Sequence, residues 1–350
     1  MVRQAFQAVA RAFQARRAVG GAHRIALHTV CVLALAAGAH AQTVVKLATL
    51  VPEGSVWDKN IKQMGEEWKT ATGGRVTVTV FNGGAQGDES MVLRKMRVDA
   101  LQAASFTAVG LGTIDASFNV FDIPFFFDSY DELNYVQDKL TPTIKKNVEK
   151  KGFVLLNWGA GGWAQVFTKR PVQTVDDLRS IKLYTSAGND AMVQWFKANG
   201  FQPRAMAMTD IMTGLTTGMI DGMPSTPLYA MFLQWNRQTP YMLDIGLAPI
   251  VGASVISQKA WKAIPDADKP KLLEAAAGVE QRLRVEVPKL DENAVAIMSK
   301  NGLTVTKAVG PEWKTQLDSL AKTMRGQMVP PDIFDLAVKA REEFRKNKPK

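Results

Sequence analysis

The sequence predicts an α/β protein built as two lobes. Strand-like and helix-like segments alternate from Val44 onward: the apolar run VVKLATL precedes a helix start, and RVTVTVF then alternates with period two. With 350 residues, of which 46% are hydrophobic and 22% charged, the chain is of ordinary globular composition. No low-complexity linker separates the two sets of elements, so we expect strands to cross between the lobes at a hinge, with a ligand held in the cleft at the strand ends.

A β-α-β unit opens the first lobe. Ser55, three residues before Asp58, is typical of a helix start, and apolar residues follow at helical spacing until Gly73-Gly74. Two tryptophans of this stripe, Trp57 and Trp68, favour core packing over ligand stacking. The lobe continues with the loop GGAQGDES, a helix, the strand segment LQAASFTAVGL and the buried strand GFVLLNWGA.

The second lobe is predicted to begin after a flexible joint, the Gly-Gly-Trp segment at 161–163. It repeats the strand and helix pattern of the first lobe. Its elements are a strand in WAQVFTKRPV, a helix from Thr174, the strand IKLYT, a helix through Met192, a helix from Thr209, a strand in MIDGMPSTP, a helix over Leu228–Thr239, a strand over Pro249–Ser257, a helical stretch from about Asp266 to Lys300 with a bend at Pro288, and two final helices.

The first 41 residues differ from the rest of the chain. They hold five arginines and no acidic residue, followed by a short apolar run and Ala39-His40-Ala41. This order is typical of a secretory signal peptide that is cleaved after Ala41. The apolar run from Val30 to Ala39 is too short to span about 30 Å of hydrocarbon, so a membrane anchor is disfavoured. We therefore predict export.

Cleavage would leave a chain without thiol or imidazole groups. The single cysteine, Cys31, and all three histidines lie in the leader, which excludes disulfides, Ser-His nucleophiles and the usual zinc or copper sites. The remaining 38 basic and 33 acidic residues give a net charge of +5, scattered except for a basic tail at 345–350. This distribution disfavours nucleic-acid binding, and GGAQGD lacks the residues of a phosphate-binding loop. No cofactor is predicted.

Seven motifs occur in one order along the chain: KLATLVPEGSVWD, GGAQGD, LQAASF, IPFFF, PVQTVDDLRSIKL, TDIMTGLTTGMIDG and STPLYAM. From about residue 44 to 344 the sequence thereby resembles the DctP-like solute-binding proteins of TRAP transporters. The resemblance implies a two-lobed periplasmic binding-protein fold, type II-like, with a hinge and a long bracing helix, here Leu228–Thr239. It implies a signal peptide at 1–41, lobe I from 42–161 and 249–291, and lobe II from 162–248 and 292–344.

The same resemblance implies a function. Proteins of this family capture a small organic molecule in the periplasm by closing their cleft, and they deliver it to membrane permease subunits without doing chemistry. We expect a small organic acid or a related hydroxylated or aromatic solute. Two alternatives stay open: the pocket feeds a membrane sensor kinase, or the chain is a periplasmic hydrolase that uses carboxylates such as Glu53, Asp88 and Glu89.

The ligand site is where this sequence departs from the family pattern. Relatives place one arginine in the segment IKL-x-V and another shortly after the joint glycine, and here these positions hold Tyr184 and Ala164. An arginine clamp on a carboxylate contributes about 1.5–3 kcal/mol per hydrogen bond, so its loss weakens carboxylate binding on the order of 100-fold. The positions that match family ligand contacts, together with two aromatic neighbours, are Leu50, Val51, Glu89, Phe106, Thr107, Trp163, Tyr184, Met208, Ser225 and Thr226.

Three explanations of this departure stay open. Another cation such as Arg204 or Arg170 meets a carboxylate, neutral donors including Tyr184 hold the ligand, or the ligand is uncharged and more apolar. The last two are favoured because the inferred lining is poor in charge, which suits an aromatic or hydroxylated monoacid better than a dicarboxylate. Tyr184 as an ordinary packed strand residue is the alternative. The segment MPST after IDG lacks the glutamate of metal-holding relatives, so no metal is predicted.

Overall fold

The computed structural model of the protein describes residues 42–188, 190–308 and 312–347. The predicted signal peptide lies outside the described residues, as do the last three residues of the predicted basic tail. Within these described ranges, no helix combines the length and the apolar character needed to cross a membrane.

The described strands form one mixed sheet. Its order is β2-β1-β3-β8-β4-β7-β5-β6, with β9 alongside β8. The first three strands pair in parallel at one end, and β5, β6 and β7 pair in parallel at the other. The strands are β1 (Thr43–Thr49), β2 (Val76–Phe81), β3 (Ala103–Thr107), β4 (Phe153–Thr168), β5 (Lys182–Ser186), β6 (Gln202–Met206), β7 (Gly222–Ser225), β8 (Tyr241–Ser257) and β9 (Thr304–Lys307).

Helices cover this sheet and confirm the α/β class. Among the described residues, 3₁₀ helices lie at Ala116–Asp122, Met208–Asp210 and Trp235–Arg237. The α-helices are α1 (Val56–Ala71), α2 (Glu89–Arg97), α3 (Ala108–Gly112), α4 (Tyr130–Lys150), α5 (Val175–Arg179), α6 (Asp190–Ala198), α7 (Ile211–Thr217), α8 (Pro227–Phe232), α9 (Gln258–Ala263), α10 (Lys269–Lys300), α11 (Glu312–Thr323) and α12 (Pro331–Asn347).

Side-chain caps fix the helix starts that the sequence predicted. Ser55 accepts a hydrogen bond from the backbone N–H of Asp58 at 3.2 Å, and Thr174 forms a capping box with Asp177. Such a cap satisfies a backbone N–H group that has no partner within the helix and contributes about 1 kcal/mol. The capping box starts α5, which leads directly into β5, the strand that carries Tyr184.

Two long antiparallel strands join the parallel groups. β4 and β8 pair from Phe153 opposite Ser257 to Thr168 opposite Tyr241, with three register shifts along the way. Each shift is a local irregularity that favours a bend and a stronger twist in the two crossing strands. The predicted joint at 161–163 lies inside β4 rather than beyond its end, and β8 begins well before the predicted Pro249.

The long helix of the structure is α10. The prediction that the bracing helix spans Leu228–Thr239 was wrong. That segment holds the six-residue α8 and a 3₁₀ turn, interrupted at Gln234, whose φ of 57° is left-handed and ends the helix. α10 runs for 32 residues with Pro288 inside it, and it packs against α1, β4 and α8. Near its start, the indole N–H of Trp68 donates to the carbonyl of Leu272 at 3.0 Å.

Asp291 of α10 ties the middle of β4 to the start of α8. Its Oδ2 accepts from the backbone N–H of Trp163 at 3.1 Å, and its Oδ1 accepts from that of Leu228 at 2.9 Å. Gly162 has a φ of 104°, and a Cβ at this position would lie 2.1 Å from Oδ2 of Asp291. The carboxylate therefore occupies the space that a larger residue at 162 would need.

The buried apolar residues form two clusters. One contains the aromatic residues of the IPFFF segment with α4 and α12, and the other contains α1 with the inner face of α10. Trp57 and Trp68 belong to the second cluster and are 6% and 1% exposed. The predicted core packing is confirmed for Trp68, whereas Trp57 packs in the same cluster and also lines a cavity.

Candidate functional site

A cavity of about 320 Å³ lies at the carboxyl ends of strands from both parallel groups. The ends of β1 and β3 contribute Thr49 and Thr107, and the ends of β5 and β7 contribute Ser186 and Ser225. Ligands of open α/β sheets bind in such crevices, where loops leave the strands and backbone groups are free to make contacts. Residues from both halves of the molecule therefore line the same cavity.

Nine of the ten residues singled out in the sequence line this cavity. Trp163 does not line it: its ring packs edge-on against Tyr130, with the ring centroids 5.3 Å apart. Because β4 alternates its side chains between two faces, Trp163 and its neighbour Ala164 point to opposite sides, and Ala164 is the one that reaches the cavity. The nine are Leu50, Val51, Glu89, Phe106, Thr107, Tyr184, Met208, Ser225 and Thr226.

Tyr184 sits in the wall in the second half of the molecule. Burial raises the pKa of its phenol above the ordinary value, while a hydrogen bond with Ser186 acts in the opposite direction and the carboxyls of Glu89 and Asp88 add to the rise. The hydroxyl is therefore neutral at physiological pH and can donate one hydrogen bond. Ala164, the second position at which the family pattern has an arginine, is 1% exposed.

Neither of the two arginines considered as substitutes reaches the cavity. Arg170 donates to the carbonyl and the hydroxyl of Ser180, and Arg204 donates to the carbonyl of Pro203. Among the described residues, no lysine or arginine lines the cavity at all, whereas Asp88, Glu89 and Asp122 do. A bound carboxylate would meet carboxyl groups and no cation.

Glu89 is buried and held by the loop that begins α3. Its Oε1 accepts from the backbone N–H of Thr107 at 2.6 Å, and its Oε2 accepts from the hydroxyl of Thr107 at 2.8 Å. Burial raises the pKa of Glu89 to about 7, although these bonds and the backbone of Gly110 lower it. A Cβ at Gly110 would lie 2.7 Å from Oε2, so glycine leaves room for the carboxyl.

Asp122 is a site residue that the sequence reasoning missed. It ends the 3₁₀ helix before IPFFF and lines the cavity, and its Oδ2 is buried without a hydrogen-bond partner. Burial, with a contribution from the nearby charge of Glu89, raises its pKa to about 7. An acidic residue directly ahead of an apolar run was the only signal for it.

Aromatic side chains form much of the remaining wall. The indole of Trp57 donates to the carbonyl of Ala160 at 2.8 Å, and the hydroxyl of Tyr229 donates to the carbonyl of Leu50 at 2.6 Å. The ring of Tyr229 lies between Trp57 and Trp235, with centroid separations of 5.5 and 5.8 Å. These bonds fix the rings, so the apolar wall is preformed.

Of the three acids considered for a hydrolase, Asp88 and Glu89 line the cavity and Glu53 does not. Glu53 is exposed and pairs with Lys62, Asp88 caps α2 by accepting from Met91, and only Glu89 is buried. No nucleophile stands beside a base in this set, which is what such chemistry needs. Within the described ranges, no group of acidic residues is arranged to hold a metal ion.

The buried acids predict an unusual dependence of stability on pH. Glu89 and Asp122 have pKa values of about 7, and that of Asp291 is raised to about 6 by burial, against ordinary values of 4.5 and 3.8. The folded protein thus keeps protons that the unfolded chain has released, so the free energy of unfolding falls as pH rises from about 4 to about 7.

Asparagine does not titrate, so replacement of Asp122 by Asn removes the contribution of this residue to the pH dependence of stability. One pKa unit corresponds to about 1.4 kcal/mol. We therefore expect the free energy of unfolding of Asp122→Asn, measured against that of the wild type, to be about 2 to 4 kcal/mol more favourable at pH ~7.5 than at pH ~4.5. Urea unfolding at both pH values measures this. Asp244→Asn, at an exposed position of β8, is the control. Parallel curves for all three proteins would contradict the assignment.

Comparison with known proteins places the chain in a family. Residues 47–327 match the family described as bacterial extracellular solute-binding protein, family 7, also called DctP. Similar sequences include a solute-binding protein of Chromohalobacter salexigens, 28% identical over 66% of this chain and 68% of its own. The sialic acid-binding periplasmic protein of Vibrio cholerae is 21% identical over 88% of this chain and 97% of its own.

Solved structures share the fold. A TRAP periplasmic solute-binding protein of Xanthobacter autotrophicus with bound β-D-galacturonate superposes with a TM-score of 0.79 at 18% identity, covering 85% of this chain and 99% of that one. A Bordetella pertussis extracytoplasmic solute receptor binding pyroglutamic acid gives a TM-score of 0.78 at 20% identity, covering 86% and 99%. The two-lobed α/β architecture is therefore that of TRAP solute-binding proteins, and the chain belongs to the bacterial extracellular solute-binding proteins of family 7.

Proposed function

We propose that this chain is the periplasmic solute-binding subunit of a TRAP transporter. It is exported by a signal peptide at 1–41, captures a small organic solute by closing its two halves, and delivers it to the membrane permease. The observation that carries this proposal is the cavity between the two parallel strand groups, since Phe106 on one side and Tyr184 on the other line one space. Family membership and the shared fold support it.

The closing motion is assigned to the two crossing strands. Lobe I takes 42–161 and 249–291, and lobe II takes 162–248 and 292–344, so the lobe limits fall in β4, β8 and α10. The register shift between Ala160 and Gly162 of β4 lies at one of these limits. Bending of two paired strands changes the opening of the cleft.

The solute is small and carries aromatic or hydroxyl groups. Of the two classes predicted from the sequence, organic acids and hydroxylated or aromatic solutes, the lining supports the second. Aromatic rings and hydroxyl groups line the cavity, and no lysine or arginine among the described residues stands there to neutralise an acid. Burying an unpaired anion costs several kcal/mol, which the aromatic wall does not offset.

Closure on a solute is the test of the proposed function. Purified mature protein is screened by thermal unfolding against a panel of small acids, alcohols and amines, because a solute that binds only the folded state raises Tm. We expect at least one solute to raise Tm, to bind reversibly without product, and to reduce the radius of gyration in X-ray scattering. Identical scattering curves with and without a stabilising solute would contradict closure, and turnover of the solute would contradict a binding protein.

A further inference from the structure

The ionisable side chains that line the cavity, apart from the neutral Tyr184 and Tyr229, are all acidic. Three carboxyl groups belong to the wall, those of Asp88, Glu89 and Asp122, while no lysine or arginine among the described residues does. Asp88 and Glu89 already have local partners, the start of α2 and Thr107 respectively. Asp122 has none for its Oδ2. The wall therefore offers negative potential and an unused acceptor.

Two more buried polar atoms of the wall lack partners: an amide oxygen, which can only accept a hydrogen bond, and a threonine hydroxyl, which can accept or donate one. Besides Oδ2 of Asp122, the buried atoms without partners that belong to lining residues are Oδ1 of Asn157 and Oγ1 of Thr185. The amide orientation of Asn157 is fixed, because its Nδ2 donates to the carbonyl of Trp158 at 2.8 Å, and this leaves Oδ1 to accept. Buried acceptors without partners are costly and rare, so their concentration here indicates a ligand that donates hydrogen bonds.

We propose that the solute is an organic ammonium ion, a protonated amine on a compact and largely apolar body, with its head at the carboxyl of Asp122 and its body against the aromatic wall. This assignment deepens the proposed function and rests on it. An ammonium group has three donors and no acceptor, which matches acceptors without partners. A carboxylate, by contrast, has only acceptors and would add a fourth carboxyl group to the cavity.

Both ends of such a ligand find a matching surface. The charge of the head lowers the cost of ionising Asp122 and Glu89, whose pKa values burial has raised to about 7. The body meets Trp57, Tyr229 and Trp235, whose rings contact one another at a tilt, and hydrogen bonds hold the rings of Trp57 and Tyr229 in place. The faces of such rings also attract a cation.

Matched triplets of ligands test the charge assignment. Each triplet keeps one body and changes only the head, for example phenethylamine, phenethyl alcohol and phenylacetate, with cyclohexyl, indolyl and butyl bodies as further sets. Affinity is measured by calorimetry at pH ~7.5. We expect the amine of any triplet that binds to be at least about 10-fold tighter than its alcohol or acid, because only the amine gains a charge-assisted hydrogen bond.

Variants then locate the head. Asp122→Asn is expected to reduce amine affinity at least about 10-fold and to leave alcohol affinity nearly unchanged, while Asp244→Asn, at its exposed site, changes neither. Glu89→Gln is the second variant if Asp122→Asn fails to fold, and circular dichroism checks the fold of both. Equal amine affinity in the wild type and Asp122→Asn would overturn the placement of the head.

The remaining outcomes separate this inference from the proposed function. A preference for carboxylates within the triplets, or a carboxylate without basic nitrogen as the solute identified by native mass spectrometry of the purified protein, overturns the inference while solute capture stands. If no solute of the panel binds and scattering shows no closure with any of them, the proposed function fails together with the inference.

Discussion

The Tyr184→Arg variant is expected to bind phenylacetate about 100-fold more tightly than the wild type does. Tyr184 lines the cavity from β5, so a guanidinium at this position would enter a space where no lysine or arginine of the described residues stands. Two charge-assisted hydrogen bonds to a carboxylate contribute about 3 kcal/mol together, which corresponds to this gain. Calorimetric titration of both proteins with phenylacetate measures it.

The acidic residues that line the cavity affect the expected gain of this variant and determine its controls. Glu89 and Asp88 lie near enough to raise the pKa of the Tyr184 phenol, so part of the new charge would pair with them. Adding Glu89→Gln should therefore increase the gain, and adding Ala164→Arg, at the second lining position, should increase it further. Tyr184→Phe removes the hydroxyl without adding charge and should show no gain. If Tyr184→Arg leaves the ratio of phenylacetate to phenethylamine affinity unchanged, Tyr184 packs as an ordinary strand residue.

Local signals in the sequence predicted most of the elements. The capping box at Thr174 and the alternating segment RVTVTVF each define their element from neighbouring residues alone, and both are in place. The helical stretch from about Asp266 to Lys300 is also confirmed, because Pro288 does not interrupt α10. These features depend on hydrogen bonds and periodicity over a few residues, which a sequence displays directly.

Features that depend on pairing over long distances were predicted less well. β4 continues through Gly161 and Gly162 because the neighbouring strand β8 pairs with it there. No local sequence pattern predicts this pairing. The resemblance to the family led to the placement of the bracing helix at Leu228–Thr239, but this segment holds only the short α8, which packs against the much longer α10. Which elements pack against each other depends on contacts between residues far apart in the sequence, and local periodicity does not reveal such contacts.

The site shows the same division. The resemblance to the family predicted Thr107, Tyr184 and Ser225, which all line the cavity, because each lies in a strand within or directly after a motif. Asp122 was missed because it precedes an apolar run and looks like a turn residue. Its importance comes from its approach to Glu89, which lies 33 positions earlier in the chain and meets it only in the folded protein.

Gly162→Ala is expected to destabilise the folded protein by about 3 to 5 kcal/mol, the largest stability effect among our predictions. The new Cβ would lie 2.1 Å from Oδ2 of Asp291, so the carboxylate must move away from the N–H groups of Trp163 and Leu228. A buried carboxylate would lose both of its partners. Urea unfolding at pH ~7.5, where the carboxyl is ionised in the wild type, measures the loss.

Gly152→Ala is the matched control, because it separates backbone strain from the lost contact. Gly152 also has a positive φ, of 87°, but a Cβ there meets no atom within 4 Å. It should cost only the strain of about 1 to 2 kcal/mol that a left-handed conformation imposes on alanine. If the two variants lose equal stability, Asp291 moves aside without cost and does not hold β4 to α8. If Gly162→Ala alone loses the additional 2 kcal/mol or more, the middle of β4 is held by the long helix.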